Sequence, residues 1–102
     1  PAPPPLEVRG AQLDARAGVL HWQDRTLELT RNEVRILVTL LERKNTVVSR
    51  EELMRALWDD DSFVDDNTLT VNIARLRKKL DELGLHDVIV TRKGLGYCIH
   101  DS

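Results

Sequence analysis

"NTLTVNIARLRKK", residues 67–79, carries four basic residues and no acidic one. Immediately before it, "DDDSFVDD", residues 59–66, carries five aspartates and no basic residue. The whole chain of 102 residues has a formal net charge of only -2, so opposite charges are sorted locally. Along and just beyond the basic stretch, Leu69, Ile73, Leu76, Leu80 and Leu83 recur at steps of four, three, four and three. Such spacing returns to one side of an α-helix and makes one continuous apolar seam. Asp65, Asp66 or Asn67 is suited to cap its start, where acidic groups meet the positive end of the helix dipole. Gly84 is suited to end it. A helix over about residues 66–83 is expected.

Two further helices precede it. In "LTRNEVRILVTLLERK" Thr30 is followed three places later by Glu33, a capping-box pattern. Val34, Leu37, Val38 and Leu41 recur at helical spacing, which predicts a helix from about Arg31 to Arg43. "VVSREELMRALW" repeats the pattern, with Ser49 and Glu52 as the box and Leu53, Ala56 and Leu57 inward, ending near Trp58. Upstream, "LEV", "AQLD", "GVLHW" and "TLEL" are short alternating runs broken by Gly10, Gly18 and "QDR". They read as strands of a small antiparallel sheet. Downstream, "DVIVTRKGLGYCIH" reads as a hairpin from about Val88 to Ile99 around a glycine-containing turn. The class is therefore α+β. A short second helix, a long basic third helix and a terminal hairpin suggest a winged helix-turn-helix with an N-terminal antiparallel sheet, three helices and a C-terminal wing.

The length suits one domain, and 41% hydrophobic residues is ordinary for a globular chain. The opening "PAPPP", residues 1–5, reads as an extended linker stub of a longer protein or as an ordinary flexible terminus, with the domain over residues 6–102. No secretory signal pattern is read, and no apolar run approaches membrane-spanning length. One cysteine, Cys98, builds no disulfide framework and suits a reducing, cytoplasmic setting. A sequence pI near 5.9 excludes a uniformly basic binder but leaves a local basic patch open.

With the seam turned inward, Asn67, Val71, Ala74, Arg75 and Lys78 point outward, flanked by Thr70, Asn72, Arg77 and Lys79. A merely solvated face has little use for valine, a mediocre helix former. A face in the DNA major groove does: arginine pairs with guanine, asparagine with adenine, and apolar groups meet the thymine methyl. Flanking lysines and hydroxyls suit phosphates. Arg92 and Lys93, at the hairpin turn, place cations where a minor groove or phosphate would meet them. The alternative is a winged helix used as a protein-interaction module, its basic face docking an acidic partner. Val71 and Asn72 beside Arg75 favour base reading, since charge docking needs no such mixture.

Trp58 is expected in the core, with its indole N–H as an alternative donor to phosphate. Tyr97 is expected to pack in a strand with a free hydroxyl, and Cys98 to be a small buried hydrophobe. His21, His86 and His100 have no ligand spacing, so no metal is expected. No phosphate loop or catalytic triad can be nominated; no cofactor and no enzymatic activity are expected.

These motifs together resemble the effector domain of OmpR/PhoB-family response regulators over essentially everything after the proline stub. "LTRNEVRILVTLL" and "VVSREELMRALW" are similar to the family's first two helices. "DDNTLTVNIARLRKKL" is similar to its recognition helix, and "IVTRKGLGYCI" to its wing. "FVDDNTLTVN" is most similar to regulators of cell-envelope stress and peptide-antibiotic resistance. The resemblance implies sequence-specific binding of double-stranded DNA as a head-to-tail pair on direct repeats. It also implies a receiver domain, outside this chain, phosphorylated by a cognate sensor kinase; the isolated domain would be mostly monomeric.

Carried over position by position, Arg75 matches the main base-reading arginine and Val71 a thymine-methyl contact; Asn72 could serve either a phosphate or a base edge, and Lys78, on the outward face, is a further base-reading candidate. Arg50, Trp58, Asn67, Thr68, Arg77 and Tyr97 match phosphate-facing positions, and Thr91 and Lys93, beside Arg92, match wing contacts. Asp59, Asp60, Asp61 and Phe63 match the segment through which members touch RNA polymerase. Many members carry arginine at Ala74, histidine at Asn72, and arginine at Asn67 and Lys93. Most of those changes remove or soften a cation, which implies weaker phosphate affinity and a different site preference.

Overall fold

The computed structural model describes residues 6–58 and 65–100. Four short strands open the chain: β1 (Glu7–Val8), β2 (Ala11–Asp14), β3 (Val19–Trp22) and β4 (Arg25–Glu28). They pair antiparallel in sequence order. Their alternation is visible in β2, where Ala11 and Leu13 are buried and Gln12 and Asp14 exposed, as a sheet with one wet face requires. Three helices follow, α1 (Arg31–Leu41), α2 (Arg50–Leu57) and α3 (Asp66–Leu83). The chain then closes with the hairpin β5 (Ile89–Arg92) and β6 (Gly96–Ile99). This is the expected α+β winged helix-turn-helix.

The helix starts are capped as the local sequence dictates. Thr30 and Glu33 form the reciprocal capping box of α1. At α2 the expected box is only half formed: Ser49 accepts from the Glu52 N–H, but the Glu52 carboxylate takes a hydrogen bond from Arg43 instead of reaching back to the cap. Asp65 caps α3, accepting from the Thr68 N–H at 2.8 Å and from its hydroxyl at 2.8 Å. The Thr68 backbone bond holds the Asp65 carboxyl below its ordinary pKa. Gly84 ends α3 at φ 111, where a Cβ would stand 2.7 Å from the Trp22 ring. Arg25 donates to the Leu83 carbonyl at 3.1 Å, so the sheet covers the C-terminal end of the recognition helix.

The seam of α3 is the spine of the core. Leu69, Ile73, Leu76, Leu80 and Leu83 are all buried, against Ile36, Leu37, Leu40, Leu53 and Leu57 of the other helices and Ile99 of the hairpin. Burying one such side chain contributes about 2 kcal/mol, so five of them fix the helix's rotation.

The first helix departs from its expected face. Ile36, Leu37, Leu40 and Leu41 are buried with Glu33, whereas Val34 and Val38 are half-buried. Val34 lies toward the sheet, near Gly18. The buried Glu33 lies on the same side as Ile36, Leu37 and Leu40 and meets the half-buried Lys79 of α3. The helix also stops at Leu41 rather than Arg43, because Asn45, at φ 64, turns the chain to donate to the Ile99 carbonyl at 3.0 Å.

Candidate nucleic-acid interface

Fixing the seam inward leaves Asn67, Val71, Ala74, Arg75 and Lys78 exposed along α3. Val71 retains 36% of its surface although it is apolar. The exposed strip thus alternates a cation, a methyl-bearing side chain and a short alanine, the combination that base edges in a major groove demand. A second exposed cluster lies at the hairpin tip, where Arg92, Lys93 and Leu95 surround Gly94.

The two clusters are joined through one aromatic ring. Tyr97 is 7% exposed on β6. The Arg50 guanidinium lies over one side at 5.8 Å from the ring centroid, and Arg77 lies at 5.7 Å. Arg50 Nη1 donates to the Tyr97 hydroxyl at 2.7 Å. Arg50 Nη2 donates to the Asp66 carbonyl at 3.0 Å and the Thr70 hydroxyl at 2.9 Å, and Nε to the Asp66 carboxylate at 3.2 Å. Arg77 donates from Nε and Nη2 to the Ile89 carbonyl, at 3.3 and 3.2 Å, and from Nη2 to the Thr91 hydroxyl. The start of α2, one flank of α3 and both strands of the hairpin are therefore held in one hydrogen-bonded unit. Between the hairpin and α2 lies a groove of about 430 Å³, lined in part by Arg50, Arg92, Lys93 and Leu95.

On the other flank Lys79 donates to the buried Glu33 carboxylate at 2.6 Å and to the Glu28 carbonyl at 3.3 Å. Burial by itself would raise the Glu33 pKa. The hydrogen bonds from Lys79 and from the Thr30 N–H and hydroxyl outweigh it and hold the carboxyl below 4.5. Its contribution to stability is then complete above pH 4.5 and is lost as pH falls through the lowered native value. Lys79→Met leaves the burial and removes the partner. It is expected to cost about 1–2 kcal/mol at neutral pH, the order for a buried carboxylate that loses its charged donor and keeps the Thr30 N–H. Urea unfolding followed over pH should show the original chain losing stability below about pH 4.5 and the variant losing less over the same range, because its Glu33 is no longer held as far below the unfolded pKa.

Several expected placements change. Asn72, expected on the outward flank, is 8% exposed, its amide donating to the Thr68 carbonyl at 2.8 Å. Spacing contains the reason: Asn72 is three residues after Leu69 and four before Leu76, hence on the seam side. Lys79, expected beside the outward face, instead pairs with Glu33. Trp58, expected in the core, is 54% exposed, because α2 ends at Leu57 and Trp58 turns out of the helix in extended backbone. Tyr97 is packed as expected, but its hydroxyl is taken by Arg50; Cys98 is buried. Thr68 and Thr91 are engaged by Asp65 and Arg77 respectively. Asp59, Asp60, Asp61 and Phe63 lie outside the described residues. The Arg50–Tyr97–Arg77 unit left no sequence signal, since its members are 20 to 47 residues apart.

Comparison with known proteins agrees with this geometry. The family model described as "Transcriptional regulatory protein, C terminal" matches residues 24–99. The sensory transduction protein BceR of Bacillus subtilis is 54% identical over 88 residues, covering 86% of this chain and 38% of BceR. The response regulator protein GraR of Staphylococcus aureus is 46% identical over 96 residues, covering 94% of this chain and 43% of GraR. This chain thus spans about two fifths of the curated relatives it matches. Among solved structures, the C-terminal domain of the nisin resistance regulator NsrR, a lantibiotic response regulator, superposes with a TM-score of 0.81. It is 45% identical and covers 92% of this chain and 94% of that one.

Proposed function

The chain belongs to the OmpR/PhoB-type family of transcriptional regulatory protein C-terminal domains, and from that premise we propose the following reading of its surface. The domain binds double-stranded DNA in a sequence-specific way, as the effector of a bacterial response regulator. Helix α3 enters the major groove, and the β5–β6 wing lies on the adjacent minor groove or its phosphates. The observation that carries this reading is the exposed strip of α3, where Val71 and Ala74 sit beside Arg75 and Lys78. Arg75 reads guanine, Val71 meets a thymine methyl, and Lys78 reaches a neighbouring base edge. Trp58, Asn67, Thr68, Thr91, Arg92 and Lys93 hold the backbone, while Arg77, which the resemblance also places there, is engaged by the Ile89 carbonyl and Thr91. Asn72 supports this strip from beneath, its amide committed to Thr68. An acidic-partner docking module has no use for Val71 on this face, which disfavours that reading.

Residues 1–5 form a linker joining the domain, residues 6–102, to a receiver domain in a longer protein. The lengths of BceR and GraR relative to this chain support this. In that protein a sensor kinase supplies the signal, RNA polymerase meets the aspartate segment containing Asp59, Asp60, Asp61 and Phe63, and two copies lie head to tail on direct repeats. The reading is cytoplasmic because the proposed work is DNA binding by a response regulator. The family is one of transcriptional regulators rather than enzymes.

Selection of bound sequences from a random duplex pool tests the central reading. Enrichment of one short motif is expected; an unenriched pool would remove it. Two subsidiary outcomes are expected. Lys93→Ala should weaken binding a few-fold and evenly across sequences, reducing the salt slope by about one, as a phosphate contact does; competition with mutated duplexes checks this. Without DNA the chain should sediment as a monomer.

A further inference from the structure

Arg50 matches a phosphate-facing position by resemblance, yet its guanidinium is already occupied. Four donated hydrogen bonds link it to the Asp66 carboxylate and carbonyl, the Thr70 hydroxyl and the Tyr97 hydroxyl. An arginine has five N–H groups, so little of the fork is left for a ligand. Its charge is also balanced by Asp66. We propose that Arg50, stacked with Arg77 on Tyr97, is a positioning residue that sets the wing against the recognition helix and does not grip phosphate. This rests on the DNA-binding reading, and it reassigns one residue within it.

The chemistry favours a latch. Arg50 stands at the first turn of α2 and contacts both the first turns of α3 and the second strand of the wing. Arg77 completes the clasp from the middle of α3 to β5 through the Ile89 carbonyl and Thr91. Tyr97 is the common wall, and its backbone also pairs with Val48, which leads into α2. A wing tip held at one angle presents Arg92 and Lys93 to a groove at a fixed distance from Arg75, lowering the ordering cost of binding. A planar fork makes these four directed bonds at once, which the single ammonium of lysine cannot copy.

Two charge-conserving variants of this chain, Arg50→Lys and Tyr97→Phe, test the proposal with two readouts. Without DNA, amide hydrogen exchange in β5 and β6 should quicken by about tenfold or more in each variant, the order for losing one charge-assisted hydrogen bond. Exchange in the α3 core should stay unchanged. With DNA, each variant should lose about tenfold in affinity for the selected duplex with the salt slope unchanged. A duplex cut short on the wing side should bind both variants and the original chain alike. A general loss of folding would instead weaken binding to both duplexes. Full rescue of affinity by lysine, with Tyr97→Phe harmless, would identify Arg50 as a phosphate contact and overturn the proposal. So would unchanged hairpin exchange. If the original chain prefers no duplex, the DNA reading fails while the exchange result still decides the latch.

Discussion

Arg75→Ala is expected to lower affinity for the selected duplex by about tenfold to a hundredfold, or about 1–3 kcal/mol, while binding to a scrambled duplex changes little. Arg75 is exposed at the centre of the outward strip of α3, next to Ala74 and one turn from Val71. Its neighbours are short enough to let its guanidinium reach a base edge. Because bidentate pairing with guanine is the commonest specific contact in a major groove, the loss should concentrate on one base pair. Competition against duplexes altered one position at a time reads this directly. Equal losses on preferred and scrambled duplexes would mean that Arg75 supplies only charge.

Gly96→Ala is expected to be the most damaging single substitution in the wing, costing about 3–5 kcal/mol through backbone strain and lost hydrogen bonds. Gly96 sits at φ 148, and a Cβ there would lie 2.1 Å from the Val48 carbonyl oxygen and 2.9 Å from the Ser49 Cα. Both obstacles are backbone, so neither can swing aside. Relief requires breaking the paired bonds between Val48 and Tyr97, at 2.8 and 3.0 Å, which seat the wing on the segment entering α2. Gly94 is the control: it has φ 78 but nothing within 4 Å of its Cβ position. Gly94→Ala should cost only about 1 kcal/mol. Thermal unfolding separates the two, since each kcal/mol shifts Tm by about 4–8 °C in a domain of this size. A Gly96→Ala protein melting near the original temperature would show that the wing is not seated as described.

The elements themselves were legible because their signals are local. Capping residues one turn from their targets, a leucine seam at helical spacing and glycines at turns predicted α2, α3, the sheet and the hairpin almost to the residue. Where a helix offered two faces of similar character, local information ran out. In α1, Val34 and Val38 are about as apolar as Ile36 and Leu40, and which of them lie deepest is decided by packing against other elements, on the side where Glu33 meets Lys79 of another helix. Trp58 failed for a related reason: its large apolar ring promised a core position, but it follows the last turn of α2.

Sequence by itself determined that α3 is a helix with a leucine-bearing inside and a cationic outside, because both properties depend only on spacing along one element. It therefore determined the exposed strip with Val71 and Arg75. Only the tertiary structure decided which cations are available to a ligand. Arg75, Lys78, Arg92 and Lys93 are exposed, whereas Arg50, Arg77 and Lys79 hold Tyr97, the wing and Glu33. A cation is committed by the acceptors that other elements bring to it. Those acceptors lie 12 to 51 residues away, beyond the reach of any local pattern.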